Sequence, residues 1–416
     1  MASQLFNLPM QWIFLGGATS FLFSLLLIAT KNLHGRLTLD TMAGVHKFHT
    51  APTPRIGGAA IAAGLLVCWM GLRYASTTSP ELSTTRELEK LLGLMLLAGS
   101  PAFVFGILED LTKRVGVRAR LLATIGSGVL GWWLTNTSIT HLDIAGIDTM
   151  LTFLPLSVAF TAFATGGVAN AFNIIDGFNG LAAGAIAISS TAIGYIAYDV
   201  GDMALAQVCI VLVAAVAGFY LLNFPFGKIF LGDGGAYLMG FLVAWTAVLL
   251  PMRNPGVSVW AALLACGYPV LEVLFSIVRK YFRVGSTPGQ PDRVHLHMLI
   301  YQRISRRVFS DLPPSLQNSV TSLFAWLFAA IPAATSIALY KHTPALILGF
   351  AASAVLYRII YLRLTQFKWC LSANKPQPVK LSAPYNKRAQ AKVTQLVVRK
   401  RATITTENTP RAKIGT

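Results

Sequence analysis

The chain has 416 residues, 54% of them hydrophobic and only 12% charged, with a mean hydropathy of +0.60. A soluble domain carries about 25% charged residues, so this composition excludes an ordinary soluble fold and a disordered chain and points to a polytopic membrane protein. The net charge of +18 comes from 34 basic against 16 acidic residues.

Apolar stretches, each near the roughly 20 residues a helix needs to cross the hydrocarbon core, are expected at about 10–30, 56–72, 91–108, 120–136, 151–170, 181–199, 203–222, 235–252, 257–278, 319–340 and 343–365. Lipid offers no partner to backbone polar groups, so these stretches should be helices. The expectation is an all-α membrane protein with about eleven transmembrane helices within residues 1–365. The first stretch lacks a small-residue cleavage site and reads as a retained helix, not a signal peptide. Residues 366–416 change composition to 11 basic residues and one acid, Glu407, and read as a basic cytoplasmic tail. The cysteines, Cys68, Cys209, Cys266 and Cys370, stand singly and give neither metal spacing nor a disulfide framework.

Orientation follows from the basic residues. Alternate loops and the tail hold 29 of the 34, leaving Arg73, Arg86, Lys90, Arg253 and Lys341 for the other side. The positive-inside rule then places the C-terminus in the cytoplasm and the N-terminus outside. The positive charge is therefore mostly topology and needs no nucleic acid.

The polar residues that topology does not explain fall in five segments on the cytoplasmic side. In the first, Lys47, His49 and Arg55 precede Gly57 and Gly58, which open a helix. Free N–H groups at such a start suit an anion. In the second, Glu109 and Asp110 stand together at a helix end, a costly pair unless a cation is near. In the third, Asn170, Asn173 and Asp176 recur every three residues and share one helical face. Together with Asn179, they are hard oxygen donors suited to Mg²⁺, ribose or phosphate. In the fourth, Asp233 lies among glycines that let a phosphate or metal approach the backbone. In the fifth, Arg293, His295 and His297 lack a neighbouring third zinc ligand and read as phosphate binders. Such groups on one membrane face suit a diphosphate substrate with Mg²⁺.

In these motifs the chain resembles the polyprenyl-phosphate N-acetylhexosamine-1-phosphate transferases, relatives of the phospho-N-acetylmuramoyl-pentapeptide transferase. The resemblance covers about residues 10–365 and rests on Lys47 and His49 through Gly58, the Glu109-Asp110 pair, Asn170-x-x-Asn173-x-x-Asp176-Gly177, Gly232-Asp233 and Pro291-Asp292-Arg293-x-His295-x-His297. It implies Mg²⁺-dependent (alternatively Mn²⁺-dependent) transfer of a sugar 1-phosphate from a UDP-sugar to a polyprenyl phosphate such as undecaprenyl phosphate, with release of UMP. Such a step would initiate a surface glycan, O-antigen or a wall polymer, at the bacterial inner membrane. Asp110, Glu109 and Asp176 are then the catalytic candidates, and Asp233 with Asp176 the metal candidates. Lys47, His49, Arg55, Asn170, Asn173, Asn179, Arg293, His295 and His297 are the substrate candidates. Three positions depart from the family pattern: Glu109 for an aspartate, Asn179 for a second aspartate and Met298 for a further histidine. The expected partners are the UDP-sugar, the polyprenyl phosphate, membrane lipid and, as a candidate, a second copy of the chain. A transporter or flippase of the lipid carrier, or a catalytically weak scaffold, would be the competing readings. A transporter should carry its polar groups at mid-membrane, where only Glu272 qualifies.

Overall fold

The computed structural model describes residues 10–40, 52–78, 83–282 and 294–366. Lys47, His49, Arg293 and the basic tail, apart from Gln366, lie outside them. The helices that matter here are α1 (Met10–Ala29), α2 (Lys31–Thr38), α3 (Gly57–Thr78), α4 (Ser83–Thr112), α5 (Val117–Thr135), α6 (Leu154–Ile175), α7 (Leu181–Asp199) and α8 (Met203–Asn223). They continue with α9 (Gly232–Arg253), α10 (Val259–Ala265), α11 (Gly267–Phe282), α12 (Leu296–Ile300), α13 (Pro314–Leu339) and α14 (Thr343–Thr365). Strand β1 (Leu39–Asp40) pairs antiparallel with β2 (Thr53–Pro54).

Helix α9 is the axis of the bundle. Nineteen of its 22 residues are buried, whereas α14 buries only Leu346, Tyr357 and Leu364 of 23 and leaves Leu348 and Val355 exposed to the lipid side. Around α9 pack α4, α6, α3 and α7. Small residues permit the closest crossings: a Cβ on Gly58 would fall on the backbone of Gly234 and Gly235, and one on Gly106 would fall on Gly234. These contacts bring the start of α3, the end of α4 and the start of α9 to one end of the bundle.

A helix stands at each expected stretch, but the count of about eleven membrane spans is corrected to nine or ten. Nine helices among the described residues are long and apolar enough to cross a membrane, and a bent pair, α10 with α11, makes ten if read as one span. The remaining stretch is α5, where Arg118 and Arg120 in the first turn and Gly126, Gly128 and Gly131 dilute the apolar character. The 82° bend between α10 and α11 falls at Cys266, three residues before Pro269. A proline lacks the N–H that would continue the preceding helix but is tolerated in the first turn of the next.

Candidate active site

The first four N–H groups of a helix have no partner within it. At the start of α9 two of them are met from another helix. Asp110, fully buried at the end of α4, accepts from the backbone N–H of Asp233 at 2.9 Å and of Gly234 at 2.8 Å. Gly232 enters this turn at a φ of +76°, where a side chain would be strained and would also meet Asp110 and the Arg55 carbonyl. Glu109 turns away from its neighbour and accepts from the backbone N–H of Val115 at 2.8 Å. The adjacent carboxylates thus diverge, which relieves their repulsion without a cation between them.

Asp233 is also buried, and both its oxygens are engaged. Arg55 bonds to Oδ1 and Arg120 to Oδ2, and Asn173 donates to Oδ1 at 3.2 Å. Arg55 also lies 3.4 Å from Asp110, and the Lys113 ammonium donates to the Asp110 carbonyl at 2.7 Å. Burial works to lower the pKa of the Arg55 guanidinium, but Asp233, Asp110 and Asp176 outweigh it and hold the pKa above its ordinary value. Asp176 follows the last turn of α6. Burial pushes its carboxyl up to about 7; Arg55 opposes the shift, and the charges of Asp233 and Asp110 add to it. Sequence reasoning did not single out Arg120. Its signal was an arginine in the first turn of an otherwise apolar helix, opposite a motif carboxylate.

The three-residue repeat does put its members on one side of α6. Asn173 faces Asp233, and Asn170 donates to Thr124 of α5 at 2.9 Å and to the Gly166 carbonyl at 2.7 Å. Asn179 is placed differently. It is buried, its side-chain amide donates to the Pro225 carbonyl at 3.0 Å, and its backbone N–H donates to Asn318 Oδ1 at 2.7 Å. Its carbonyl accepts from Ser322 at 2.7 Å. It ties the turn after Asp176 to α13 and to the Pro225 loop. Asn179→Ala is expected to lower stability by roughly 0.5–1.5 kcal/mol, the net contribution of a hydrogen bond, because the Pro225 carbonyl loses its amide donor and keeps the Ser319 hydroxyl. Thermal unfolding in detergent checks this; an unchanged Tm would remove the structural role.

The amides of Gly57 and Gly58, expected to be open to an anion, are taken. They donate to the Phe230 and Leu231 carbonyls at 2.9 and 2.8 Å. The segment pairs with the strand-like approach to α9, and that pairing carries Arg55 to Asp233.

The histidine segment is brought to the same end. His295 is extended just before α12 and His297 lies in its first turn, so their rings stack 5.4 Å apart and nearly parallel. Both surround Glu272, a buried acid of α11. His295 Nδ1 is 2.8 Å from Glu272 Oε1 and the Leu296 N–H donates to the same carboxylate at 3.2 Å. His297 Nδ1 is 3.8 Å from Glu272 Oε2 and 3.1 Å from the Tyr268 hydroxyl. His297 Nε2 stands beside Gly177, and the ring meets Phe178 edge-on at 5.6 Å. Glu272 is thus a residue that the motifs did not assign. Its signal was a lone acid inside an apolar stretch.

If this cluster orients the donor, His297→Ala should cut kcat/KM for the nucleotide sugar about a hundredfold with the KM for the lipid acceptor little changed. Glu272→Gln should act in the same direction, while Arg306→Ala, exposed and outside the motif, should not. Equal small effects from His297→Ala and Arg306→Ala would take the histidines out of the site.

A polytopic helical bundle with a charge-dense cluster at one end describes a class of membrane proteins broader than one reaction. Residues 92–251 match the family described as glycosyl transferase family 4. The chain is 28% identical over 334 residues to a decaprenyl-phosphate N-acetylglucosaminephosphotransferase of Mycobacterium tuberculosis, covering 72% of this chain and 76% of the relative. It is 27% identical over 297 residues to the undecaprenyl-phosphate alpha-N-acetylglucosaminyl 1-phosphate transferases of Yersinia pestis and Escherichia coli K12, covering 70% of this chain and 77% of each. These matches agree with the resemblance that the motifs carry, to the polyprenyl-phosphate N-acetylhexosamine-1-phosphate transferases.

Proposed function

We propose that the protein transfers an N-acetylhexosamine 1-phosphate from a UDP-sugar to a polyprenyl phosphate and releases UMP. The observation that carries this reading is the cluster in which Asp110, Asp176 and Asp233 meet Arg55, Arg120 and Asn173, with the histidine pair beside the Asp176–Gly177 turn.

An oxygen of the acceptor phosphate forms a bond to the β-phosphorus of the donor. The bond from that phosphorus to the bridging oxygen breaks, and UMP leaves with the electron pair. The second pKa of a phosphate monoester is near 6, so at neutral pH the acceptor is largely dianionic and needs no base. Placement and charge neutralisation then dominate. Arg55 and Arg120 suit the diphosphate, because a guanidinium pairs with phosphate oxygens as it does with a carboxylate. Asp110, committed to two backbone donors, positions the start of α9 and Arg55. His295 and His297, oriented by Glu272 and Tyr268, donate to the phosphates or the sugar.

The donor set fits Mg²⁺, which takes few protein ligands together with substrate phosphates. Among the described residues no group of three or more His, Cys, Asp or Glu side chains forms a complete metal cage, while Asp176 and Asp233 offer hard oxygens beside the diphosphate path. Those two would hold the ion, and Mn²⁺ would accept the same donors. When bound, it neutralises the charge developing on the phosphate oxygens.

The excess of basic residues in the loops at the cluster's end supports a cytoplasmic site in a bacterial inner membrane. A transporter is disfavoured, because Glu272, the one acid deep in an apolar stretch, is engaged by the histidine segment. The direct test is UMP release from membranes given undecaprenyl phosphate and a panel of UDP-sugars. Release requiring both substrates and a divalent ion is expected. No release from any UDP-sugar would overturn the reading.

A further inference from the structure

At the end of the bundle away from the carboxylate cluster, α3 and α4 enclose a cleft of about 770 Å³ lined by Trp69, Arg73, Arg86, Glu89, Lys90 and Gly93 among others. The residues come from two matched stripes. Trp69, Arg73, Ser76 and Thr77 recur at four, seven and eight residues on α3, and Arg86, Lys90, Gly93 and Leu97 recur at four, seven and eleven on α4. Such spacings share a helix face. Of the five basic residues on this side of the topology, three line this one cleft.

Among the described residues that line the cleft, three basic side chains stand against one acid. Arg86 and Lys90, four apart, repel each other, and Arg73 adds a third positive charge across the gap. Glu89, buried, is the acid of the lining and reaches Arg73 at 3.5 Å. Glu87 turns to Arg253 instead, at 2.9 Å. The indole Nε1 of Trp69 is buried against Gly93 without a hydrogen-bond partner. The next residues along these faces, Leu66, Met70 and Leu97, are about half exposed on helices apolar enough to cross a membrane. At a rise of about 1.5 Å per residue, Arg73, Lys90 and Arg86 stand about 24–36 Å along α3 and α4 from the carboxylate cluster, toward the opposite headgroup level.

We propose that this cleft binds the phosphate of an anionic phospholipid from the opposite leaflet, with Arg73, Arg86 and Lys90 around the headgroup and the acyl chains along Leu66, Met70 and Leu97. The occupant is a lipid rather than a soluble phosphate, because the cleft continues onto apolar surface that only a chain-bearing ligand would cover. Basic pockets between membrane helices bind lipid headgroups in this way. The site is separate from the proposed reaction and would stand without it.

The test uses the full-length protein in nanodiscs of phosphatidylcholine with a small fraction of phosphatidylglycerol. Retained lipid is counted by native mass spectrometry for the parent and for R86Q/K90Q, whose substitutions are exposed and leave the core untouched. Each basic group near anionic lipid contributes a factor of about five in affinity, so the pair should cost roughly 25-fold in phosphatidylglycerol retention. Phosphatidylcholine retention should be unchanged. A second arm adds inorganic phosphate, which should not displace the lipid at matched concentration. Equal phosphatidylglycerol retention by parent and variant would overturn the proposal, as would full displacement by inorganic phosphate. Unchanged thermal unfolding of R86Q/K90Q in phosphatidylcholine alone is the expected control.

Discussion

Asp233→Asn is expected to lower turnover about a thousandfold while leaving a folded protein in the membrane. The reason lies in how the carboxylate is held. It is buried at the start of α9 and bonded by Arg55, Arg120 and Asn173. In the proposed reaction these guanidiniums would pair with the incoming diphosphate, and Asp233 with Asp176 would hold the divalent ion. Resting ion pairs of this kind keep three acids and two arginines from facing each other bare, and the substrate completes an exchange of partners. An amide at position 233 cannot take part, because it carries no charge and its NH₂ end faces a guanidinium. UMP release measured across a Mg²⁺ titration checks this. Near-normal activity at every Mg²⁺ concentration would remove Asp233 from the chemistry.

Asp110→Asn should be nearly as damaging by a different route. The Asp110 carboxylate makes two charge-assisted bonds to backbone N–H groups in a fully buried setting. An amide can accept only through its oxygen, so one N–H of α9 loses its acceptor and faces an NH₂ group. A buried charge-assisted bond contributes about 1.5–3 kcal/mol, so a clear fall in Tm should accompany a loss of rate of about a hundredfold or more. The pH dependence separates positioning from proton abstraction. A positioning role predicts the same fold-loss at about pH 5.5 and about pH 7.5, on either side of the phosphate's second pKa near 6. A base would be needed more at the lower pH, so a markedly larger loss there would restore Asp110 as a proton acceptor.

The helices were legible because lipid imposes a simple rule: long apolar runs must pair their own backbone. The rule fails where a helix is shielded by its neighbours. Helix α5 carries Arg118 and Arg120 at its start, and its glycines lower its apolarity, yet it packs against α4 and α6 as a full member of the bundle. The break at Cys266 could have been read from Pro269, but the surrounding apolar run hid it. Within the site, Asn173, Asp176 and Asp233 were legible as oxygen donors at a helix spacing or among glycines. Their partnerships were not. Arg55 and Asp233 are 178 residues apart, and nothing local links them. Glu272 showed only as an acid in the wrong place, because the histidines it orients come from a segment 23 residues later. Asn179 looked like a ligand for the opposite reason. Its side chain is chemically suited to a substrate, but packing turns it toward Pro225 and α13.

The glycine crossings of α3, α4 and α9 constrain how such a site could evolve. Beneath the charged cluster the floor is bare polypeptide, and an added methyl at Gly58 or Gly106 would collide with main chain that no rotamer change can move. Overpacking of this kind forces backbone shifts, which here would displace Asp110 and Asp233 together. Single substitutions therefore have no gradual route to reshaping the floor. On the proposed reaction, changes in the sugar or nucleotide accepted would fall in the walls, in the turn after Asp176 and in the segment around His295 and His297. The floor acts as a frozen platform on which the adjustable parts of the enzyme diversify.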